Sequence, residues 1–237
     1  MIKLVVFDLD KTLAELGKGV TPENIKQLKQ LEEKGVRIAI CSGKTVYYLC
    51  GFMRQLELEH PILIGENGAV IQFGVDLPPK NYYKFLSGDS EVKAVMRKIE
   101  ADIKEKYPDI WFQPNEVMLS PFPQNEEQFD WIQNYIDKND FEGIDVYRHC
   151  DCFDILPKGI SKGSGLEYLT AALEITPEEM VAVGDGVNDY SMFSYAGTSI
   201  GIHLEEADRV DYNFNNISEV LNMLNEKCEG QALDIWN

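Results

Sequence analysis

Two aspartates two residues apart, Asp8 and Asp10 in Asp8-Leu9-Asp10-Lys11-Thr12, are the first residues in the chain placed to do chemistry. On an extended backbone their Cα atoms lie roughly 6–7 Å apart, so both carboxylates can face one small ligand. Such a pair repels itself. A hard cation such as Mg²⁺ relieves the repulsion, taking one or two carboxylates together with water and substrate phosphate oxygens as ligands. Asp185, in Gly184-Asp185-Gly186-Val187-Asn188-Asp189, is the natural additional ligand. The two glycines of that segment permit an irregular backbone around Asp185, Asn188 and Asp189, more than an Asp-Gly turn requires, although Asn188 also suits the N-cap of a following helix.

Ser42-Gly43-Lys44-Thr45 half satisfies the phosphate-loop pattern G-x-x-x-x-G-K-[ST], but its first Gly would fall on Ile38, inside an apolar run. No loop remains to wrap a chain of phosphates. What stays is a hydroxyl and the backbone N–H groups of Ser42, Gly43 and Lys44 at a helix start, a cradle for a single phosphate. Lys162, in Gly159-Ile160-Ser161-Lys162-Gly163, also stands at a helix start. The helix dipole disfavours a cation there, so Lys162 is either a solvated surface residue or one with an anionic partner.

The elements that must position these residues read as a parallel α/β sheet. Apolar runs at 2–7, 36–41, 61–64, 180–183 and 198–202 predict strands, and helices are expected at 22–34, 44–56, 161–173, 188–195 and 217–227. Strand alternating with helix implies a parallel sheet, and Asp8, Asp10, Ser42 and Asp185 each fall just past the carboxyl end of a strand, where open α/β sheets bind ligands. The grammar changes at Asp76-Leu77-Pro78-Pro79, which reads as a linker. Residues 79–155 then predict an inserted α+β unit, with strands at 81–86, 110–113, 116–120 and 144–149 and helices at 90–106 and 125–137. The core is expected to be 1–78 with 156–230, and 231–237 a tail without signal.

Composition bounds the partners. The 237 residues hold 22 Lys and Arg against 40 Asp and Glu, a net charge of −18 that repels nucleic acid and anionic membrane surfaces. The longest uncharged stretch, Tyr190–Leu204, is too short and too polar to span a bilayer. Five cysteines, an odd number without a secretory leader, predict a reducing cytoplasm. Cys150 and Cys152 in His149-Cys150-Asp151-Cys152 are expected as small buried hydrophobes on one strand face rather than zinc ligands, since no second cysteine pair closes a tetrahedral site.

The four segments together, in this order, resemble the haloacid dehalogenase superfamily of phosphatases. Asp8-Leu9-Asp10-Lys11-Thr12 is similar to its first motif, Ser42-Gly43 to its second, Lys162 to its third and Gly184–Asp189 to its fourth. The long interval before Lys162, with Gly65-Glu66-Asn67-Gly68-Ala69 ahead of it, is similar to members carrying a large α/β cap after the third strand, the group of Cof-type, sucrose-phosphate and phosphoglycolate phosphatases.

The resemblance implies a Rossmann-like core, a cap over the crevice, and Mg²⁺-dependent hydrolysis of a small phosphorylated metabolite, a phosphosugar or a phosphoglycolate-like ester. It implies Asp8 as nucleophile forming an aspartyl-phosphate, and Asp10 as the alternating acid and base. Mg²⁺ would be held by Asp8, the Asp10 carbonyl and Asp185. Lys162 would neutralise phosphoryl oxygens, with Thr12, Ser42 and Asn188 orienting the phosphate and Asp189 supporting them. Lys11 stands where that group usually has Gly, and Lys44 where many members have Arg. A phosphomutase using the same phosphoaspartate and a non-catalytic binding protein on the same fold are the rival readings.

Overall fold

The computed structural model describes residues 1–229, so the expected tail at 231–237 lies outside the described residues. The first unit comprises Met1–Lys84 and the chain from Ser161 onward, and the second Phe85–Ile160. In chain order the elements are β1 (Leu4–Phe7), α1 (Pro22–Glu33), β2 (Arg37–Cys41), α2 (Val46–Arg54), β3 (Ile62–Gly65), β4 (Val70–Phe73) and β5 (Tyr83–Phe85). Then follow α3 (Ser90–Lys106), β6 (Trp111–Phe112), β7 (Pro121–Phe122), α4 (Glu126–Asn139), β8 (Ile144–Arg148) and β9 (Phe153–Pro157). The chain returns with α5 (Lys162–Leu173), β10 (Met180–Gly184), α6 (Tyr190–Tyr195), β11 (Thr198–Ile202), β12 (Tyr212–Phe214) and α7 (Ile217–Lys227).

The first unit is built on an eight-stranded sheet in the order β12-β11-β10-β1-β2-β3-β4-β5. Its six strands from β12 to β3 pair in parallel, and β4 pairs with β3 antiparallel. The central strand Leu-Val-Val-Phe is wholly buried because parallel strands are covered on both faces, which is why it reads as an unbroken apolar run rather than an alternation. Its register sets the site. Phe7 lies opposite Val183 on one side and Ile40 on the other, so the chain leaves β1, β10 and β2 at one level, with Asp8, Gly184-Asp185 and Cys41-Ser42 beside one another.

Helix starts follow their caps. The Thr21 and Ser161 hydroxyls accept from the N–H of Asn24 and Ser164, and Pro22 opens α1. The second helix begins at Val46 rather than 44, because Thr45 is its N-cap and accepts from the Tyr48 N–H at 3.2 Å.

Four expectations need correction. The segment 116–120 is not a strand. Leu119 makes a single bridge to Ile155, and the ladder with β6 is formed by Pro121 and Phe122, a short pairing of the kind that tolerates proline. Strands β4, β9 and β12 are not anticipated by strand-helix alternation, since β4 and β9 run antiparallel to their partners and β12 is a three-residue edge. Cys150 is exposed while Cys152 is buried, because β8 ends at Arg148 and residues 149–152 form the hairpin turn, closed by the His149 N–H donating to the Cys152 carbonyl. Finally, the proline pair at 78–79 precedes β5, which is the last strand of the large sheet, and the second unit runs over 85–160 rather than 79–155.

Within the second unit α3 and α4 pack Met96, Ile99, Ile103, Phe129, Ile132 and Ile136 against Phe153 and Ile155 of β9. This is a core of its own, separate from that of the large sheet.

Candidate active site

Asp8 leaves β1 buried, 6% exposed, and its Oδ1 accepts from the Lys162 Nζ at 2.6 Å. The same ammonium donates to Asp189 Oδ1 at 2.6 Å. Lys162 is thus no surface residue. It is 1% exposed at the first position of α5, and two carboxylates compensate both its burial and the adverse helix dipole. Burial works to lower the pKa of the Lys162 ammonium, but the charges of Asp189 and Asp8 outweigh it and hold the pKa above the ordinary lysine value.

Asp189 is oriented by more than Lys162. Its Oδ2 accepts from the backbone N–H groups of Asp185 at 2.9 Å and Gly186 at 3.1 Å, so its side chain folds back under the end of β10. That fold needs Gly184, where an added Cβ would lie 2.4 Å from Asp189 Oδ2. Asp185 in turn accepts at 3.0 Å from the hydroxyl of Thr12, which is 3% exposed.

Carboxylate oxygens of Asp8, Asp185 and Asp189 all lie within 4.8 Å of one another. Three carboxylates face one ammonium. Burial above all, partly offset by Lys162 and reinforced by Asp189, pushes the Asp8 pKa up from 3.8 to about 7. Burial and then the Asp189 charge raise that of Asp185 as well. Hard oxygen donors, crowded and short of positive charge, fit a divalent cation such as Mg²⁺.

The Asp10 side chain stands apart from this cluster, with Oδ2 3.6 Å from Lys44 Nζ. Lys11 between the two aspartates has φ +66°, the left-handed region that glycine enters at no steric cost, which explains physically why a Gly suits this position and marks local strain where Lys occupies it. Ser42 is 3% exposed, and its Oγ accepts from the Lys44 N–H at 3.2 Å, so the loop after β2 is closed on itself. Asn188 is exposed, its side-chain oxygen lying against Gly186 rather than in the carboxylate cluster.

One structural role escaped the reading of the sequence. The turn Glu66-Asn67-Gly68 carries three successive residues at positive φ and docks on the loop after β2, the Glu66 and Asn67 N–H groups donating to the carbonyls of Lys44 at 2.9 Å and Ser42 at 3.0 Å. Its Gly68 approaches the start of α5 so closely that a Cβ would lie 2.1 Å from the Ser161 carbonyl oxygen. This turn braces the Ser42 loop and the base of Lys162 together. Asn67-Gly68 is a pair that tight turns favour, but nothing in the sequence points to what the glycine approaches.

Comparison with known proteins gives the family. The family model described as sucrose-6F-phosphate phosphohydrolase matches residues 1–230. The chain is 24% identical to a putative bifunctional phosphatase/peptidyl-prolyl cis-trans isomerase of Streptococcus pyogenes, over 100% of this chain, and spans 57% of that protein's length. With a phosphoglycolate phosphatase of Methanopyrus kandleri it shares 26% identity over 84% of each chain. A crystal structure of a haloacid dehalogenase-like hydrolase from Bacteroides thetaiotaomicron superposes with a TM-score of 0.78 at 20% identity, over 94% of this chain and 100% of that one, a likeness of fold.

Proposed function

The chain belongs to the sucrose-6F-phosphate phosphohydrolase family of haloacid dehalogenase-like phosphatases, and on that premise we propose that it hydrolyses a phosphate monoester of a small metabolite through an aspartyl-phosphate on Asp8. The observation that carries the reading is the buried Asp8-Lys162-Asp189 array at the carboxyl end of the central strands, which holds one carboxylate oxygen of Asp8 and leaves the other to attack phosphorus.

In the first step the Asp8 oxygen bonds to phosphorus as the ester P–O bond breaks, and Asp10 delivers a proton to the departing alkoxide. In the second, Asp10 takes a proton from water, whose oxygen bonds to phosphorus as the Asp8 O–P bond breaks, releasing inorganic phosphate and restoring both groups. Lys162 offsets charge on the phosphoryl oxygens throughout, and Thr12, Ser42, Gly43, Lys44 and Asn188 orient the group. Asp189 holds the Lys162 ammonium in line with Asp8. Mg²⁺, held by Asp8, Asp185 and the Asp10 carbonyl, would supply Lewis-acid neutralisation of the phosphoryl oxygens when bound.

The substrate is a phosphosugar or a phosphoglycolate-like ester, the chemistry named for the family and for the Methanopyrus relative. The second unit is a cap that chooses the leaving group. Among the described residues no helix is long and apolar enough to cross a membrane. The five cysteines, none of them in a disulfide, suit a reducing cytoplasm. Steady-state release of inorganic phosphate from phosphosugars, phosphoglycolate and an aryl phosphate tests the proposal. Turnover of a phosphosugar without free phosphate would instead indicate a phosphomutase.

A further inference from the structure

The second unit contains a cavity of about 490 Å³, within the range of small-molecule sites, between α3 and the segment 112–119. Its wall is apolar, formed by Met96, Phe112, Met118 and Leu119, while Lys93, Arg97 and Lys104 border it from α3. Spacings of four and seven residues put these three cations on one helix face. The local charge is the reverse of its surroundings. The unit holds 8 Lys and Arg against 16 Asp and Glu, yet the cavity is bordered by three of the cations and only two acids, Glu100 and Glu116.

Lys104 is already engaged, paired with Glu100 and lying 4.9 Å from the Phe112 ring centroid. Lys93 and Arg97 make no ion pair with any of the described residues. Across the cavity the amide of Asn115 is fixed, accepting from Gln113 at 2.7 Å and donating to the Ser120 hydroxyl at 3.2 Å. Ser120 is itself tied to the buried Asp154 at 2.7 Å. A cavity with an apolar wall, a positioned amide and two uncommitted cations takes a small molecule through an acidic group.

We propose that the second unit carries its own binding site for the carboxylate or phosphate of a small molecule, held by Lys93 and Arg97. The ligand's acidic group is a carboxylate or a phosphate, and two measurements on the full chain distinguish these. The first titrates glycolate, a carboxylate without phosphate, into the wild-type protein and the Lys93→Gln/Arg97→Gln variant, following backbone amide resonances. Shifts at 93, 97 and 115 in the wild type that vanish in the variant are the expected result. Both residues are exposed, so the variant folds, which its unchanged spectrum elsewhere verifies.

The second repeats the titration with inorganic phosphate. Shifts at the same three amides that vanish in the variant assign the site to phosphate as well as carboxylate, and shifts with only one of the two probes assign it to that anion. Absence of the shifts in the wild type with both probes overturns the proposal.

Discussion

The Lys162 ammonium sits 2.6 Å from an oxygen of Asp8 and 2.6 Å from an oxygen of Asp189, with all three side chains almost wholly inaccessible to water. A buried cation shared by two carboxylates is structural and chemical at once. Removing it leaves like charges facing each other in a medium that screens them poorly.

Lys162→Ala should therefore fail in two ways. Turnover of an aryl phosphate is expected to fall by about 10²- to 10³-fold, as when one preorganised charge partner of an active site is lost. Stability should drop by about 3–5 kcal/mol, because Asp8 and Asp189 lose their only cationic partner among the described residues. Denaturant unfolding beside steady-state kinetics checks both. A variant with unchanged midpoint and rate would show that neither catalysis nor stability depends on the Lys162 charge.

Asp8→Asn is expected to separate these effects. At pH 7.5 an ionised Asp8 is held against a pKa raised to about 7, so the folded metal-free protein bears the cost of that charge, and a neutral isostere removes it. Turnover should disappear while the melting temperature without metal stays at or above that of the wild type. Lys162 keeps Asp189 as its partner throughout. A large loss of stability in this variant would contradict the raised pKa.

Mg²⁺ binding should strengthen with pH. Below about 7 Asp8 holds a proton that a cation must displace, and Asp185 is shifted in the same direction. Affinity is then expected to rise by up to about tenfold per pH unit towards neutrality and to level off above it. Melting temperatures at pH 5.5 and 7.5, each with Mg²⁺ and with EDTA, measure this as a larger metal-dependent increment at the higher pH. EDTA should also abolish phosphate release.

How much of this was legible follows from where each residue sits. Asp8, Ser42 and Asp185 each follow a buried apolar strand, and parallel pairing brings such strand ends to one level, so their convergence could be read before any coordinates. The partner of Lys162 could not. Asp189 reaches it only by folding back beneath β10, which depends on the absence of a Cβ at Gly184 and on two backbone N–H groups. The limit of the second unit was misjudged for a related reason, since Pro78-Pro79 has the local chemistry of a linker and only pairing across the sheet shows Tyr83–Phe85 to be its last strand.

Gly68→Ala tests the brace between the two loops. A methyl group would have to occupy a position 2.1 Å from the Ser161 carbonyl oxygen, at a residue with φ +102°, so backbone must move. A loss of about 2–4 kcal/mol is expected from the clash and the strained backbone together. Because Ser161 immediately precedes Lys162, kcat should fall by more than the melting temperature alone explains. An alanine variant with wild-type stability and kcat would remove the brace from the account.

Replacement of the second unit tests both its boundary and its role. Exchanging 86–160 for a Gly/Ser linker keeps the whole of β5 at the sheet edge, whereas exchanging 79–155 removes β5 entirely and strands the end of β9 without its partner. The first replacement is expected to yield the more stable protein, by circular dichroism and thermal melting, since the second exposes the edge of β4. With the core intact, hydrolysis of a small aryl phosphate should persist, because Asp8, Asp10, Lys162 and Asp185 all belong to the first unit. Discrimination among phosphate esters should collapse, as the leaving group loses the residues that select it. A folded core that still ranks esters as the whole chain does would move specificity to Lys11, Lys44 and Asn67, whose substitution would then change the ranking directly.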